Sequence, residues 1–324
     1  MHLLVCGGAG YVGSHVAKVL DARGHRVTVL DNLSTGHAQA VRWGPLIRAD
    51  LLDPASLDAA FQDQRFDAVL HFCARSLVGE SMAAPYDYYE NNVVGTLNLL
   101  QAMRRHGVDR IVFSSTAAVF GNPVAALIDE DHPKAPINPY GASKLMVERI
   151  LADAAHAYGL RSVCLRYFNA AGASANDGIG ESHEPETHLI PNLLRALINP
   201  AAPLKVFGED YPTPDGTCVR DYVHVLDLAD AHARALDYME AAPGAHAFNL
   251  GNGTGFSVMQ VIRAAERVTG LPVPFERAPR RAGDPPVLVA ASQRAREVLE
   301  WSPTHTSIEA ILRTAWDWHR APAF

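Results

Sequence analysis

The sequence lacks any apolar segment long enough to span a bilayer, and it has only four cysteines in 324 residues. A transmembrane helix needs about 20 apolar residues in succession, so no membrane partner is expected. Cys6, Cys73, Cys164 and Cys218 are widely spaced and form no CxxC pair, which is typical of reduced, buried thiols in the cytosol. The N-terminus has no cationic segment before its first strand, so we expect no signal peptide and a cytoplasmic protein.

Positive charge is also scarce, with 28 Lys and Arg against 35 Asp and Glu and a net charge of −7. Duplex nucleic acid is bound mainly through Lys and Arg on phosphates, so nucleic acid is not an expected partner. A local basic pocket for a small anion remains compatible with this balance. The composition, 48% hydrophobic and 19% charged, is that of an ordinary globular protein that can bury a large core.

A glycine-rich turn near the N-terminus is the first positive signal. The apolar strand His2–Cys6 leads into Gly7-Gly8-Ala9-Gly10-Tyr11-Val12-Gly13, and a helix is expected from about Ser14. A diphosphate reaches the amides of a helix N-terminus only if no side chain blocks the turn. A plain tight turn also favours glycine, so the turn alone is weak evidence.

The second strand supplies an acid. Arg26–Leu30 ends at Asp31, about 20 residues after the turn, where an acid accepts hydrogen bonds from the adenosine ribose and favours NAD over NADP. Asp31 alone also suits a turn. Strand, glycine turn, helix, strand and acid together predict a dinucleotide-binding unit.

Strands and helices continue to alternate along the chain. Further strands are expected at 45–49, 67–72, 110–115 and 161–168, and helices at 54–62 and 86–106. This alternation predicts the α/β class, with a doubly wound, Rossmann-like parallel sheet covered on both faces. Ligands bind at the C-terminal ends of such strands, which here carry Gly7, Asp31, Asp50, Phe72 and Ser114 to Thr116.

A tyrosine and a lysine open the next helix, in Pro139-Tyr140-Gly141-Ala142-Ser143-Lys144. The i,i+4 spacing puts the phenol and the ammonium on one helix face. A neighbouring cation favours the phenolate, so we predict that Tyr140 is a general base whose pKa Lys144 lowers. Thr116 is predicted beside it as a hydroxyl partner of the substrate. The alternatives are a surface Tyr–Lys pair and a threonine that caps a helix.

The chain changes character after Phe168. Residues 169–188 lack a period, which is typical of a functional loop. We predict an NAD-binding domain over 1–168 and a smaller, mainly substrate-binding lobe over 169–324, interleaved because segments around 220–250 return to the main domain. Helices are expected near 190–197, 226–238, 258–268 and 308–319, and strands at 204–207 and 246–250.

Two loop arginines, Arg220 and Arg281, are candidates for binding a diphosphate, because a planar guanidinium grips two oxygens at once. Each is also compatible with a solvated surface position. One cluster has side chains that bind metals, formed by His183, Glu184, Glu186 and His188. Its spacing matches no zinc motif and it lies in an irregular loop, so the sequence predicts no metal.

Motifs spread along essentially the whole chain form a recognisable set. They are VCGGAGYVGSH, DNLSTG, HFCARSLVGES, YYENNVVGTLNLL, FSSTAAVFG, NPYGASKLMVE, LRYFNAAG, DGTCVRDYVHVLDLADAH and RRAGD. The set resembles the UDP-glucose 4-epimerases of the extended short-chain dehydrogenase/reductase family. Motifs before Tyr140 are shared by the broad family, and those after Phe168 are more specific to the epimerases.

The resemblance implies a tightly held NAD that is not consumed, a UDP-sugar substrate and a homodimer formed through the helices at 86–106 and 138–158. Tyr140 would remove the proton of the sugar 4-hydroxyl while C4 gives hydride to the nicotinamide. The 4-keto sugar would then turn over and take the hydride back on its other face. Lys144 would also hold the nicotinamide ribose, with Thr116 as the hydroxyl partner.

The resemblance also implies two sets of binding residues. Contacts with NAD are implied for Gly7, Gly10, Tyr11, Val12, Asp31, Asn32, Asp50, Leu51, Phe72, Ala74, Asn91, Ser114, Tyr140, Lys144 and Phe168. Contacts with the UDP-sugar are implied for Thr116, Asn169, Leu189, Lys205, Phe207, Arg220, Arg281 and Asp284, with both arginines on the diphosphate.

Four positions depart from the pattern of the family. Ser76 stands where many of these epimerases have a lysine near the cofactor, and Phe120 replaces a tyrosine. His188 replaces an asparagine beside the sugar, and Leu288 stands where some relatives have a bulky tyrosine that excludes N-acetylated sugars. Another UDP-sugar 4-epimerase, acting on an N-acetylhexosamine or a uronate, therefore stays open.

Two other functions fit the sequence less well. Sugar-nucleotide dehydratases and decarboxylases resemble the chain, but they place an acid just after the hydroxyl position, where this chain has Ala117-Ala118. A non-catalytic NAD-binding regulator would keep the glycine turn but would have little use for Tyr140, Lys144 and Thr116 together.

Overall fold

The computed structural model describes residues 1–62, 64–281 and 284–324. Its strands are β1 (His2–Cys6), β2 (Arg26–Asp31), β3 (Leu46–Arg48), β4 (Ala68–His71), β5 (Arg110–Thr116), β6 (Arg161–Tyr167), β7 (Asn169–Ala171), β8 (Leu204–Phe207), β9 (Val219–His224), β10 (Ala245–Leu250), β11 (Gly255–Ser257), β12 (Phe275–Ala278) and β13 (Val287–Leu288). Its helices are α1 (Tyr11–Ala22), α2 (Pro54–Gln62), α3 (Val78–Ala83), α4 (Pro85–Tyr89), α5 (Gly95–Arg105), α6 (Pro139–Tyr158), α7 (Leu189–Ile198), α8 (Val225–Ala241), α9 (Val258–Thr269), α10 (Gln293–Val298) and α11 (Ile308–Arg320).

The main sheet has the strand order β10-β6-β5-β4-β1-β2-β3, and each neighbouring pair is parallel. The predicted doubly wound α/β fold is therefore confirmed. The expected return of a late strand is found as well, because β10 pairs with β6 from Ala245 to Leu250. The C-terminal ends of β1, β2, β4 and β5 lie along one edge, where this class of sheet binds ligands.

Both faces of the sheet are covered, which explains the continuous apolar strands. In β1, Leu3 and Val5 face the core that contains α1 and α8, whereas Leu4 and Cys6 face the core that contains α2, α5 and α6. Successive side chains of a strand point to opposite faces, so a strand covered on both faces needs an apolar residue at every position.

A second core lies in the C-terminal part, where α7, α9 and α11 pack around Leu193, Val261 and Ile311. Small sheets flank it: β11, β9 and β13 form one, with β7 added on β9, and β12 pairs with β8. The interior of α8 instead packs with the main sheet. The division of the chain at residue 168 stays a prediction.

The sequence expectations differ from the structure where elements are short or irregular. The helix expected at 86–106 is interrupted by a π-helical segment, Glu90–Val94, between α4 and α5. The loop expected at 169–188 contains β7, which pairs with β9. Strands β11, β12 and β13, each of two to four residues, were not predicted. Of the RRAGD motif at 280–284, Ala282 and Gly283 lie outside the described residues.

Across the ranges that the structure describes, no helix combines the length and apolarity that crossing a bilayer requires.

Candidate active site

The turn between β1 and α1 is shaped to receive a phosphate group. Gly7 has φ +82°, and a Cβ there would lie 2.7 Å from the backbone nitrogen of Cys73. Gly10 is the N-cap of α1, and no side chain of the described residues caps that end. The first amides of a helix need partners, and the helix dipole favours an anion there. These features fit the diphosphate of a dinucleotide.

The predicted NAD residues Asp31, Asn32 and Asp50 meet beside this turn. Asp31 is 6% exposed and accepts hydrogen bonds from the amides of Ala9 at 3.0 Å and Leu33 at 2.8 Å. Burial raises the pKa of this carboxyl, and the two amides offset part of the rise. Asn32 donates to Asp50 at 2.9 Å, which joins the ends of β2 and β3. Asp31 keeps lone pairs for a ribose hydroxyl.

Other predicted NAD residues border the same turn. The amide of Phe72 donates to the Cys6 carbonyl at 2.8 Å, directly beyond β4. The Tyr11 hydroxyl donates to the Gly172 carbonyl at 2.6 Å and so links the turn to the segment after β7. Val12 packs into the core beneath α1, and the carbonyl of Leu51 accepts from Asn98 at 2.9 Å.

The π-helical segment carries two neighbouring asparagines into the site. Asn92 accepts from the Arg75 amide at 2.9 Å and donates to the Arg75 carbonyl and the Ser143 hydroxyl, both at 3.0 Å. Asn91, which was predicted to contact NAD, donates to the Asn92 side chain at 2.9 Å. Asn92, which sequence reasoning missed, therefore ties α6 to the Ala74–Arg75 loop, and a break in helical period at YYENNVV is its only sequence signal.

Tyr140 and Thr116 are brought together by a close backbone approach. Asn138 caps α6 by accepting from the Gly141 amide at 2.8 Å, and Pro139 occupies the first turn. A Cβ at Gly141 would lie only 2.4 Å from the Ala118 carbonyl oxygen. Thr116 also caps a short 3₁₀ turn by accepting from the Ala118 amide at 3.1 Å. Thr116 therefore caps a helical turn, as the alternative interpretation expected, and also lies beside the phenol of Tyr140.

The predicted lowering of the Tyr140 pKa by Lys144 stays a prediction. Burial raises the pKa of Tyr140, and a hydrogen bond with Thr116 offsets part of the rise. Lys144 donates to the Ser114 carbonyl at 2.8 Å, and its Nζ atom lies 6.0 Å from the centre of the Tyr140 ring. One N–H group of the ammonium is therefore engaged at the edge of the sheet. Burial lowers the pKa of Lys144 itself to about 8.

A second phenol lies on this rim. The hydroxyls of Ser114 and Tyr167 are 2.5 Å apart, and Tyr140 is close enough to raise the pKa of Tyr167 further, beyond the effect of burial. Sequence reasoning placed Tyr167 only in a strand. Phe168 follows it and packs with Val119 and Leu288.

A buried ion pair joins α6 to the main sheet. Arg166 binds Glu148 through two hydrogen bonds, of 2.8 and 2.5 Å, and both side chains are less than 10% exposed. Ser115 donates to the same carboxylate at 2.6 Å. Glu148 lies one turn after Lys144, so these contacts hold β5, β6 and α6 together at Ser115, the residue before Thr116.

The predicted substrate residues lie mainly on the small sheets. Asn169 in β7 pairs with Tyr222, and its side chain donates to the Asp221 carbonyl at 2.9 Å. Arg220 in β9 is paired in register with Leu288 in β13. These positions share one surface at the C-terminal edge of the main sheet, because β7 follows β6 directly.

Two cations of this surface are already engaged. Arg220, whose side chain is 12% exposed, donates to the carbonyls of Val219 and Pro285 at 2.9 Å and to Asp284 at 3.2 Å. The guanidinium of Arg281 stacks 4.0 Å from the ring centre of Phe207. Asp284 is an anion and can accept from a hydroxyl but not from a diphosphate.

The remaining predicted substrate residues, Lys205 and Leu189, lie on other elements than Asn169 and Arg220. Lys205 lies on an exposed edge of β8, with Glu276 3.8 Å away, and Leu189 is the first residue of α7. Tyr211 was missed by the sequence analysis. It is 5% exposed, its hydroxyl has no hydrogen-bond partner within the described ranges, and its ring stacks 4.3 Å from the guanidinium of Arg280.

The close approach at Gly141 gives a first prediction. Gly141→Ala should push α6 away from the Ala118 carbonyl, lower the free energy of unfolding by about 1–3 kcal/mol and reduce turnover by moving the Tyr140 phenol. Gly79→Ala is the matched control, because Gly79 lies in α3 with open space around it. Denaturant unfolding and kcat check both. Equal stability of the two variants would contradict this reading of the contact.

The fold and these residues define a class of protein: a dinucleotide-dependent enzyme that acts on a hydroxyl of its substrate. A family model described as the NAD dependent epimerase/dehydratase family matches residues 3–251. The chain belongs to this family.

Relatives and solved structures agree over the full length. A curated UDP-glucose 4-epimerase from Halalkalibacterium halodurans is 50% identical over 320 residues, covering 99% of this chain and 96% of the relative. The crystal structure of UDP-glucose 4-epimerase from Brucella ovis in complex with NAD has a TM-score of 0.94, with 48% identity over 97% of both chains. The enzyme from Bifidobacterium longum, in complex with NAD+ and UDP, has a TM-score of 0.94, with 36% identity over 99% of this chain and 98% of that one.

Proposed function

We propose that this protein interconverts UDP-glucose and UDP-galactose at C4 with tightly bound NAD. The observation that carries the proposal is the meeting of Tyr140, Thr116 and Lys144 on the rim of a glycine turn that is shaped for a diphosphate. Full-length relatives named UDP-glucose 4-epimerase support the same reaction.

Each group of the rim has a role in this proposal. Bound NAD+ would supply the hydride acceptor for C4 and a positive charge that favours the phenolate of Tyr140. The Tyr140 oxygen takes the proton of the 4-hydroxyl and returns it when the 4-keto sugar is reduced on its other face. Thr116 orients that hydroxyl. Lys144, held at the Ser114 carbonyl, has two remaining N–H groups for the ribose of the nicotinamide.

The substrate surface explains how one sugar presents both faces. Arg220 and Arg281 are proposed to bind the diphosphate, and Asn169, Leu189, Lys205, Phe207 and Asp284 to contact the rest of the UDP-sugar. Binding energy placed on the nucleotide leaves the hexose free to turn over. Asp284 must release Arg220, at least in part, for the diphosphate to enter.

A sugar-nucleotide panel tests the proposal. Pure protein given UDP-galactose without added NAD should form UDP-glucose, detected by chromatography. A 4-keto-6-deoxy product from UDP-glucose would contradict epimerisation and indicate a dehydratase. Comparison with UDP-N-acetylgalactosamine and UDP-galacturonate tests the position of Leu288, which is half-buried, pairs in register with Arg220 and packs against the same small core as Phe168. If the protein turns over one of these two sugars faster than UDP-galactose, that sugar is the preferred substrate.

We further propose that the protein is a homodimer. Tyr86 in α4, Val94 in the π-helical segment and Met146 and Tyr158 in α6 are 84%, 46%, 46% and 61% exposed. These helices are neighbours, and apolar side chains exposed side by side mark a contact surface. Light scattering of the wild-type protein should give twice the mass of one chain. The double variant Val94→Asp, Met146→Asp should give the mass of a single chain. A monomeric wild-type protein would contradict the dimer. The cytoplasmic location stays a prediction.

A further inference from the structure

The segment before α7 gathers four side chains that can bind a metal. They are Glu181, His183, Glu186 and His188, and one ligand atom from each lies within 4.8 Å of the others. The sequence analysis had grouped Glu184 with this set and expected no metal. In the structure Glu184 is exposed and lies outside the group, whereas Glu181, two residues before His183, completes it.

Three of the four distances between a histidine nitrogen and a carboxylate oxygen in this group, counting either oxygen of Glu186, are close to those of tetrahedral coordination. His183 Nδ1 is 3.4 Å from Glu181 Oε1 and 3.6 Å from Glu186 Oε2, and His188 Nδ1 is 3.6 Å from Glu186 Oε1. Ligand atoms about 2.0–2.2 Å from a tetrahedral zinc ion lie roughly 3.3–3.6 Å apart. The fourth distance, 2.5 Å between His188 Nδ1 and Glu181 Oε1, is a hydrogen bond that a metal would replace.

The carboxylate of Glu186 points independently to a missing cation. Its side chain is only 1% exposed, and its Oε1 atom accepts from the amides of Thr187 and His188, both at 2.8 Å. Within the described ranges, its Oε2 atom is buried and has no hydrogen-bond partner, and neither has the His183 Nδ1 atom that faces it. Buried polar atoms in native proteins are nearly always satisfied, and a cation between the two would satisfy both.

We propose that these four side chains bind one divalent transition-metal ion, for which Zn²⁺ is the probe. Two imidazole nitrogens and two carboxylate oxygens suit zinc, whereas magnesium and calcium prefer oxygen ligands alone. A dication would balance the two carboxylates and leave both histidines neutral. His188 is 52% exposed, so the ion can enter from solvent.

The backbone of the site is held by its neighbours. Trp318 donates to the Glu181 carbonyl at 2.9 Å, and Arg195 donates to the His183 carbonyl at 3.0 Å. The ring centre of His183 lies 6.4 Å from that of Tyr11, in the cofactor turn. The metal would therefore fix the segment that precedes α7 and packs against this turn. It would act as a structural ion and not as a participant in the proposed reaction.

Zinc titration of the untagged chain tests the proposal. After dialysis against a chelator, calorimetry should give one Zn²⁺ per chain, and thermal unfolding should shift to higher temperature with the metal. Glu186→Gln and His183→Asn should weaken binding by more than the roughly 10–100-fold lost with an outer-shell partner. Glu184→Gln, in the same segment but outside the group, is the matched control and should bind as wild type does.

A second measurement keeps the test valid if a variant fails to fold. Co²⁺ added to the wild-type chain should produce the intense visible bands of tetrahedral coordination, and Zn²⁺ should displace it. Absence of zinc binding by the wild-type chain, equal binding by Glu186→Gln, or an octahedral Co²⁺ spectrum would each overturn the proposal. The four residues would then form only a hydrogen-bonded ion-pair network.

Discussion

Tyr140→Phe should lower kcat by about 10²–10⁴-fold, the usual contribution of a general acid–base group. The substitution removes one oxygen and keeps the ring that closes the rim, so UDP should still bind with wild-type affinity. The effect is expected on kcat because the hydroxyl acts on the proton of the reacting hydroxyl and not on the nucleotide. Steady-state kinetics with UDP-galactose and calorimetry with UDP measure the two quantities separately.

Tyr158→Phe is the matched control, because Tyr158 lies at the other end of the same helix and is 61% exposed. It should leave both kcat and UDP affinity unchanged. Turnover near the wild-type rate in Tyr140→Phe would remove Tyr140 as the base. The activity would then have to be assigned to another group of the rim, such as Tyr167, whose pKa Tyr140 raises.

Arg220→Ala should weaken UDP binding by about 2–4 kcal/mol, or roughly 30- to 700-fold. The guanidinium is largely buried, and its hydrogen bonds to the Val219 and Pro285 carbonyls fix it in place. A buried, fixed cation binds a diphosphate with little loss of side-chain freedom. Calorimetry with UDP measures the loss, and kcat should change less than KM.

Arg277→Ala is the matched control for this second effect. Arg277 lies on β12, its side chain is 69% exposed, and it pairs with Glu209 at the surface. It should leave UDP affinity unchanged. Arg220→Lys provides a milder test if Arg220→Ala unfolds, because it keeps the charge and loses the two-pronged contact. Unchanged UDP affinity in both Arg220 variants would place the diphosphate elsewhere.

Local patterns predicted the nucleotide half of the candidate site. The glycine turn, Asp31 and the strand ends follow from short-range spacing, and the structure places Gly7, Asp31, Asp50 and Phe72 along one edge of the sheet. The substrate half of the candidate site was harder to predict from the sequence. Asn169, Arg220 and Leu288 come from separate segments, and only strand pairing shows that they share a surface.

Some features had no local signal at all. The approach of Gly141 to the Ala118 carbonyl, the bridge that Asn92 makes to α6 and the grouping of Glu181 with His183 are contacts between atoms whose relative positions depend on tertiary packing. The pKa of Tyr140 shows the same limit. The i,i+4 spacing places Lys144 on the same helix face as Tyr140, but it does not say which group the ammonium contacts. The direction of its ammonium depends on the Ser114 carbonyl of another element.

The sequence by itself determined the α/β class and the parallel sheet, and it predicts the cofactor turn, Tyr140 and Thr116, because each depends on periodicity or on spacing within one or two elements. Tertiary structure alone decided which charges meet and how deeply they are buried. Those two quantities set the pKa of Tyr140, the pairing of Arg220 with Asp284 and the convergence of two histidines on two buried carboxylates. Electrostatic free energy depends on distance and solvent exposure, and neither is encoded in the spacing of residues along the chain.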